Sequence, residues 1–462
     1  MSKNNMSRRD ALKFIGLSPV AASIIASTSG SSIAEASEDV KGKVVIVGGG
    51  AGAIMAISRI KRAITNPDIT IIAPNEIHLY QPGQVFIGAG ELRMEDIILD
   101  NNHYIDKDEV TWIKDEVKEF NPDNNSVTTR AGNLIQYDYL VVATGVQYQY
   151  EKIKGLTKED IGKNGITSVY LSDLEKGTAK GATDTWKWFN ELKEVAKTKK
   201  TKVIYTQPNT PIKCGGAPQK MLYLSADYLK QAGLNAEYSF VSSQEKLFSL
   251  PKVDESLHKT QSQYDTITNK FQHHFDSIDI QAKKATFIHA YEEKEYDEDL
   301  EEEEIVSKVD TVVLDYDFIH IVPPMAPVDA VLNSKLVNSS GWLDVDKTTL
   351  QHQRYKNVFG IGDVCGIPMG KTGGSARHQG PILTNNLISV MKGEKPTSKF
   401  DGYTVCPIKT QYGKILMAEF NYQGAAPTLP FLAYEEPRYL WWAFDLYMLK
   451  PMYQYLMLTG RF

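Results

Sequence analysis

The stretch Lys43–Ala53, KVVIVGGGAGA, constrains this chain more than any other. A short apolar run, Val44 to Val47, breaks into Gly48, Gly49 and Gly50, and the helix-compatible residues Ala51, Ala53 and Met55 follow. Strand, glycine turn and helix open a dinucleotide-binding βαβ unit. In the spacing G-x-G-x-x-G/A, Gly48 permits the tight turn and Gly50 lets the backbone approach a pyrophosphate. Ala53 lets the helix pack on the strand. The free N–H groups at the helix start, with their partial positive charge, suit phosphate. A second apolar strand, Ile69–Ile72, returns about twenty residues later, as the unit requires.

A chain of 462 residues exceeds one hydrophobic core, and roughly two or three domains are expected. A net charge of −6 argues against nucleic acid as a partner. The first 36 residues read as a targeting segment. Arg8-Arg9 precedes an interrupted apolar run, and Ala34-Glu35-Ala36 offers a cleavage site. This is the pattern of a twin-arginine signal, which exports folded proteins, so the expected location is periplasmic, on the outer face of the cytoplasmic membrane. Its removal would leave 47 of the 51 basic and 55 of the 57 acidic side chains, a net of −8.

From Lys41 the pattern is α/β. Residues 41–165 and 323–395 read as one dinucleotide-binding domain, interrupted by a second Rossmann-like domain over 166–322. Residues 396–462 form a C-terminal segment. Tyr137–Gly145, YDYLVVATG, is a buried strand ending in a small-residue turn, which makes Thr144 and Gly145 candidates for close approach to a nucleotide. Asn357–Asp363, NVFGIGD, is a second such strand, ending in Gly362 and Asp363. Ala73 stands where many dinucleotide folds place a ribose-binding carboxylate, and the nearest carboxylate is Glu76. The first turn of the second domain, Thr206 to Pro211, has two prolines and no glycine cradle, which argues against a tightly held nicotinamide. Residues 291–304 carry ten acidic side chains and one lysine. They read as a solvated hairpin or loop, and no metal site is expected.

The last sixty or so residues are rich in aromatics, including Trp441, Trp442, Phe444, Tyr447, Tyr453 and Tyr455. No run there is long enough to span a membrane. The segment reads either as an interfacial anchor or as helices packed on the body or in a dimer contact.

The three cysteines are too few for a disulfide scaffold, so each needs its own account. Cys214 lies in TPIKCGGAPQ, where Gly215 and Gly216 permit close approach to a flat ligand and Lys213 would favour a thiolate. Cys406, in the loop-like DGYTVCP, lies 192 positions away. Two such cysteines in an exported protein suggest a redox disulfide across domains. Cys365, in GDVCG, is either a third redox thiol or a small buried residue.

Taken together, KVVIVGGGAGA, LYQPGQVFIGAGE, YDYLVVATGVQ, NTPIKCGGAPQKMLYLS, VPPMAP, WLDVDKTTLQH, YKNVFGIGDV and DGYTVCP resemble sulfide:quinone oxidoreductases, in matching order from Lys41 to the C-terminus. The resemblance implies two Rossmann-like domains with FAD held at Gly48, Gly50, Gly52, Ala53, Thr144, Gly145, Gly362 and Asp363, and Lys371 near the flavin's quinone side. It implies that Cys214 and Cys406 carry sulfane sulfur taken from sulfide, and that electrons pass to a quinone beside a membrane-facing C-terminal region. Two features depart from the family. Ala73 replaces the ribose carboxylate, and Arg377 and His378 bring charge towards a pocket expected to be apolar. The stretch after Lys371, like the signal, also resembles the flavoprotein subunit of flavocytochrome c sulfide dehydrogenase, whose acceptor is a cytochrome. A type II NADH:quinone oxidoreductase and a flavin-binding protein without turnover are the remaining alternatives, and a homo-oligomer is left open.

Overall fold

The computed structural model describes residues 37–264, 266–297 and 302–462. Strand β1 (Lys43–Val47) leads through the glycine turn into helix α1 (Ala51–Ala63), and β2 (Asp68–Ile72), β3 (Val110–Ile113) and β4 (Tyr139–Val142) follow. Helix α1 buries Ile54, Met55, Ile57 and Ile60 on the sheet, and Lys61 and Arg62 in its last turn complement the helix dipole. The chain then crosses into a second unit. This holds β5 (Ile166–Thr167), α2 (Lys180–Ala196), β6 (Lys202–Gln207), α3 (Ala217–Gln231), β7 (Glu237–Ser242) and β8 (Ile267–Lys270).

Next come three antiparallel strands, β9 (His273–Asp279), β10 (Lys284–Asp297) and β11 (Glu302–Asp315). The described part of the acidic stretch therefore lies in the paired strands β10 and β11, and residues 298–301 are outside the described residues. Strand β12 (Phe318–His320) returns to the second sheet, and β13 (Val358–Gly360) to the first. Helix α4 (Gly373–Met391) packs across α1, and its Thr372 cap accepts a hydrogen bond from the Ser375 N–H at 3.1 Å. The hairpin β14 (Thr404–Gln411) and β15 (Lys414–Asn421) precedes helix α5 (Tyr439–Tyr447).

Two five-stranded parallel sheets result, in the order β13-β4-β1-β2-β3 and β5-β12-β6-β7-β8. The near-continuous apolar character of β1 and β4 follows from burial on both faces. In such sheets ligands bind beyond the carboxyl ends of the strands, where the order reverses. The site is built there.

The C-terminal segment divides. Trp441, Trp442 and Ala443 are buried against the body, as expected of helices packed on it. Phe431, Tyr439 and Tyr455 are exposed by 68%, 43% and 66%. Among the described residues no helix is long and apolar enough to cross a membrane.

Candidate active site

Three turns end adjacent strands of the first sheet. They are Gly48–Gly50 after β1, Ala143–Gly145 after β4 and Ile361–Asp363 after β13. Gly48 has φ +125°, and a Cβ there would lie 2.3 Å from the Ala143 carbonyl oxygen, so only glycine allows the turns to touch. At Gly50, Gly145 and Gly362 a Cβ would meet nothing within 4 Å. The three turns thus face one open groove at the start of α1, and Gly52 and Ala53 set that helix against β13 and the core. In the same place the buried hydroxyl of Thr144 has no hydrogen-bond partner. Close backbone, a helix N-terminus and an orphaned hydroxyl fit the pyrophosphate and sugar of a dinucleotide such as FAD.

The ribose position at Ala73 remains apolar, and Glu76 does not replace the missing carboxylate because it is paired with Lys114. The sequence offered no sign of the residue that shapes this region. Asn101 donates to the Gly49 carbonyl at 3.1 Å and the Asn75 carbonyl at 3.2 Å, and its oxygen meets His78 Nδ1 at 2.6 Å.

Beyond the groove lies a cavity of about 270 Å³, bordered by Cys214, Lys220, Asp363, Lys371, Arg377 and the C-terminal Tyr453 and Phe462. Cys214 and Cys406 are joined as a disulfide with Cα atoms 5.7 Å apart. Cys406 differs from its loop-like expectation. It is fully buried in β14, because that strand packs against α3. Cys214 sits in the turn before α3 at φ +56°, a left-handed conformation seldom adopted outside glycine and stored at functional sites. Its N–H donates to the Lys371 carbonyl at 3.0 Å, which ties the cysteine turn of the second domain to the first. Gly216 brings the helix over the bridge: a Cβ there would lie 3.1 Å from the Cys406 sulfur and 2.7 Å from Ile408.

The lysine beside the Cys214 sulfur is not Lys213, as expected, but Lys220, whose Nζ donates to Sγ at 3.2 Å. Lys213 bonds Tyr148 and Gln81 and faces Asp363. Lys220 lies six residues after Cys214 on α3, and only the turn geometry between them shows that they meet. Burial holds its pKa well below the ordinary lysine value, and Lys409 adds repulsion while Asp445 opposes it. Lys409 and Asp445 themselves form a buried ion pair at 2.5 Å.

Asp363 and Lys371 lie close together. Lys371 Nζ donates to the Asp363 and Cys365 carbonyls at 2.7 and 2.6 Å and lies 3.7 Å from the Trp342 ring centroid. Burial pulls its pKa down to about 8, and burial also pushes the Asp363 carboxyl up. Cys365 is buried and unbridged, with its thiol pushed up to about 12 by burial, which makes it inert as a nucleophile at neutral pH. Among the described residues no group of His, Cys, Asp or Glu side chains is placed to hold a metal.

The second sheet carries no comparable cradle. Its turn after β6 is pinned to the returning chain, with Thr206 accepting from Val322 N–H at 3.1 Å and Thr210 from Met325 N–H at 2.9 Å. The space between Thr206, Pro208 and Val322 is about 10 Å³, far too small for a nicotinamide nucleotide.

Residues 42–182 match the family of pyridine nucleotide-disulphide oxidoreductases. The chain is 39% identical to the mitochondrial sulfide:quinone oxidoreductase of Dictyostelium discoideum, over 82% of this chain and 78% of that one. It is 35% identical to the mitochondrial sulfide:quinone oxidoreductase of Mus musculus, over 90% of this chain and 86% of that one. The chain belongs to the sulfide:quinone oxidoreductase family. A crystal structure of the sulfide:quinone oxidoreductase from Aquifex aeolicus shares the fold. It superposes with a TM-score of 0.67 over 91% of each chain at 20% identity. The α/β, FAD-binding Rossmann-type architecture and the cofactor FAD follow from this membership.

One expectation falls. The two relatives at 35% and 39% identity are mitochondrial proteins, and this overturns export to a periplasm by a twin-arginine signal. Residues 1–36, on which that expectation rested, lie outside the described residues.

Proposed function

We propose that the protein oxidises sulfide at the Cys214–Cys406 bridge and passes the electrons through FAD to a quinone. The observation that carries this reading is the bridge itself, joining the turn before α3 to strand β14 at the edge of a cavity that also reaches Asp363 and Lys371. FAD, when bound, supplies the two-electron acceptor that the side chains lack. Gly48, Gly50, Gly52, Ala53, Thr144, Gly145, Gly362 and Asp363 are our assignment for its cradle, with Lys371 at the junction with the disulfide.

Lys220 takes the proton of an incoming H2S, a role suited to a lysine whose charged form burial disfavours and whose Nζ lies beside the bridge. The resulting HS⁻ attacks Cys406, forming a persulfide there and breaking the bridge, and Cys214 leaves as the thiolate. Lys220, now an ammonium beside Cys214, and the N-terminus of α3 hold that charge. Once a nucleophilic acceptor has removed the sulfane sulfur from Cys406, the two cysteine thiolates re-form the bridge, and FAD, when bound, would take the two electrons that this bond formation releases.

Anaerobic titration with sulfide and then quinone tests the whole reading: bleaching of the flavin followed by recovery is expected. A yellow protein that sulfide leaves oxidised would end it. Lys220→Met is expected to slow bleaching roughly 100-fold near neutral pH, the scale of a lost general base. Part of the rate should return as the pH rises and solution supplies HS⁻ directly. A variant with the wild-type rate at low pH would remove Lys220 from this role.

We also place the C-terminal segment against a membrane surface, where a lipid-soluble quinone resides. Exposed Phe431, Tyr439 and Tyr455, beside a cavity partly walled by Leu449, Met452 and Met457, support this. Replacing the three exposed aromatics with serine is expected to release the protein from liposomes in a flotation assay without slowing bleaching. Unchanged flotation would point to packing on the body as the whole role of the segment.

A further inference from the structure

The cavity that borders the disulfide and Lys220 is also bordered by Arg377, which the first turns of α4 carry, and by apolar side chains, Val405, Met417, Leu449 and Met457 among them. The Arg377 guanidinium donates to His378 Nε2 at 2.6 Å and lies 5.2 Å from the Phe462 ring centroid. Tyr403, stacked on His378 at 4.1 Å, gives its hydroxyl to Glu419 at 2.5 Å. Thr428 also donates to Glu419, through its backbone N–H at 2.9 Å and its hydroxyl at 2.5 Å, so that carboxylate is already engaged.

Among the described residues no carboxylate lies within ion-pair distance of Arg377, nor of Arg59 on the neighbouring α1. Arg59 Nε is buried without a hydrogen-bond partner, and burial together with Arg377 pulls its pKa down to about 10. A cation this far from water is ordinarily paired. The Arg377 guanidinium does reach the cavity, with Tyr403 and the nearby Glu419 favouring its charge. A strong positive donor on a largely apolar wall suits a flat apolar molecule bearing an oxygen that gains negative charge. Tyr403, Glu419, His378 and Arg59 are the polar groups around it.

We propose that Arg377 is a catalytic residue of the acceptor half-reaction, holding the quinone carbonyl oxygen on which negative charge develops as the electron pair arrives. This rests on the quinone reading above. In the overall balance the quinone gains two electrons and two protons. The electrons and one proton come from reduced FAD, and the second proton comes from water. Arg377 keeps the oxygen charge stabilised until that second proton arrives, and it stays protonated throughout, as arginine must.

The test compares wild type, Arg377→Lys and Arg377→Met with two acceptors, decylubiquinone and ferricyanide. Ferricyanide takes electrons without entering an apolar chamber. In Arg377→Met, kcat with decylubiquinone should fall roughly 100-fold or more, the scale of a lost oxyanion donor, with a smaller change in KM. Arg377→Lys should lie between. Sulfide-driven bleaching and ferricyanide turnover should keep their wild-type rates, which also shows that the variants fold and bind FAD. The affinity of oxidised protein for oxidised decylubiquinone, read from quenching of flavin fluorescence, should weaken in Arg377→Met. Wild-type quinone turnover in Arg377→Met, or equal losses with both acceptors, would overturn the proposal. Wild-type protein that reduces ferricyanide but no quinone would instead bring down the quinone reading, and this proposal with it.

Discussion

Cys214→Ser and Cys406→Ser are each expected to abolish sulfide-driven bleaching of the flavin while leaving its oxidised spectrum in place. Either change removes the only bridge among the described residues, and with it the bond that HS⁻ must break. Since the sulfurs act as one unit, the double variant should be scarcely slower than either single one. The two singles still differ in a second respect. Cys214→Ser leaves Lys220 without its sulfur partner, whereas Cys406→Ser leaves a Cys214 thiol beside Lys220, poised to ionise. Alkylation near neutral pH should therefore label Cys406→Ser faster than Cys214→Ser, in which the remaining cysteine is buried in β14. Cys365→Ser should bleach at nearly the wild-type rate, because that thiol lies in the core of the first domain. Rapid bleaching by Cys406→Ser would show that the bridge is structural and that sulfide reaches the flavin by another route.

The second large effect concerns stability. Lys409 and Asp445 are paired at 2.5 Å with side-chain exposures of 2% and 0%, and they join the cysteine-bearing hairpin to α5. Asp445→Asn leaves the Lys409 charge buried and uncompensated, at a cost of about 3–5 kcal/mol. The thermal midpoint, followed by release of FAD fluorescence, should drop by several degrees. Replacing both partners with apolar residues of similar volume, Lys409→Met with Asp445→Leu, should recover most of the loss. Asp445→Asn should also slow bleaching, because Lys220 loses the one anion that favours its charged form. An Asp445→Asn protein with an unchanged midpoint would show that water or a rearranged side chain already neutralises the pair.

The fold class and the phosphate-facing turns of the first domain are legible in the order of the residues alone. The reason is local: a turn that must pass close to a phosphate needs glycine at set spacings, and an apolar strand must precede it. Gly48, Gly50, Gly145 and Gly362 could therefore be picked out from their neighbours alone. The sequence also singles out Cys214 and Cys406, whose flanking glycines and proline mark them as unusual.

Only the tertiary structure decided which charges serve the sulfur. Lys213 is adjacent to Cys214 in the chain, yet it turns towards Tyr148 and Asp363. Lys220, one and a half helical turns further on, comes back over the sulfur because α3 starts directly from the left-handed Cys214 turn. The same holds for the C-terminal aromatics. Trp441 and Trp442 have the composition of a membrane-surface helix, but packing against the β14–β15 hairpin buries both, with Phe86 and Tyr412 against the Trp442 ring. Composition records how apolar a segment is; whether protein or lipid covers it depends on what the rest of the chain brings alongside. Arg377 shows the converse. In the sequence it is a charge out of place, and in the fold α4 brings it to a largely apolar part of the cavity wall.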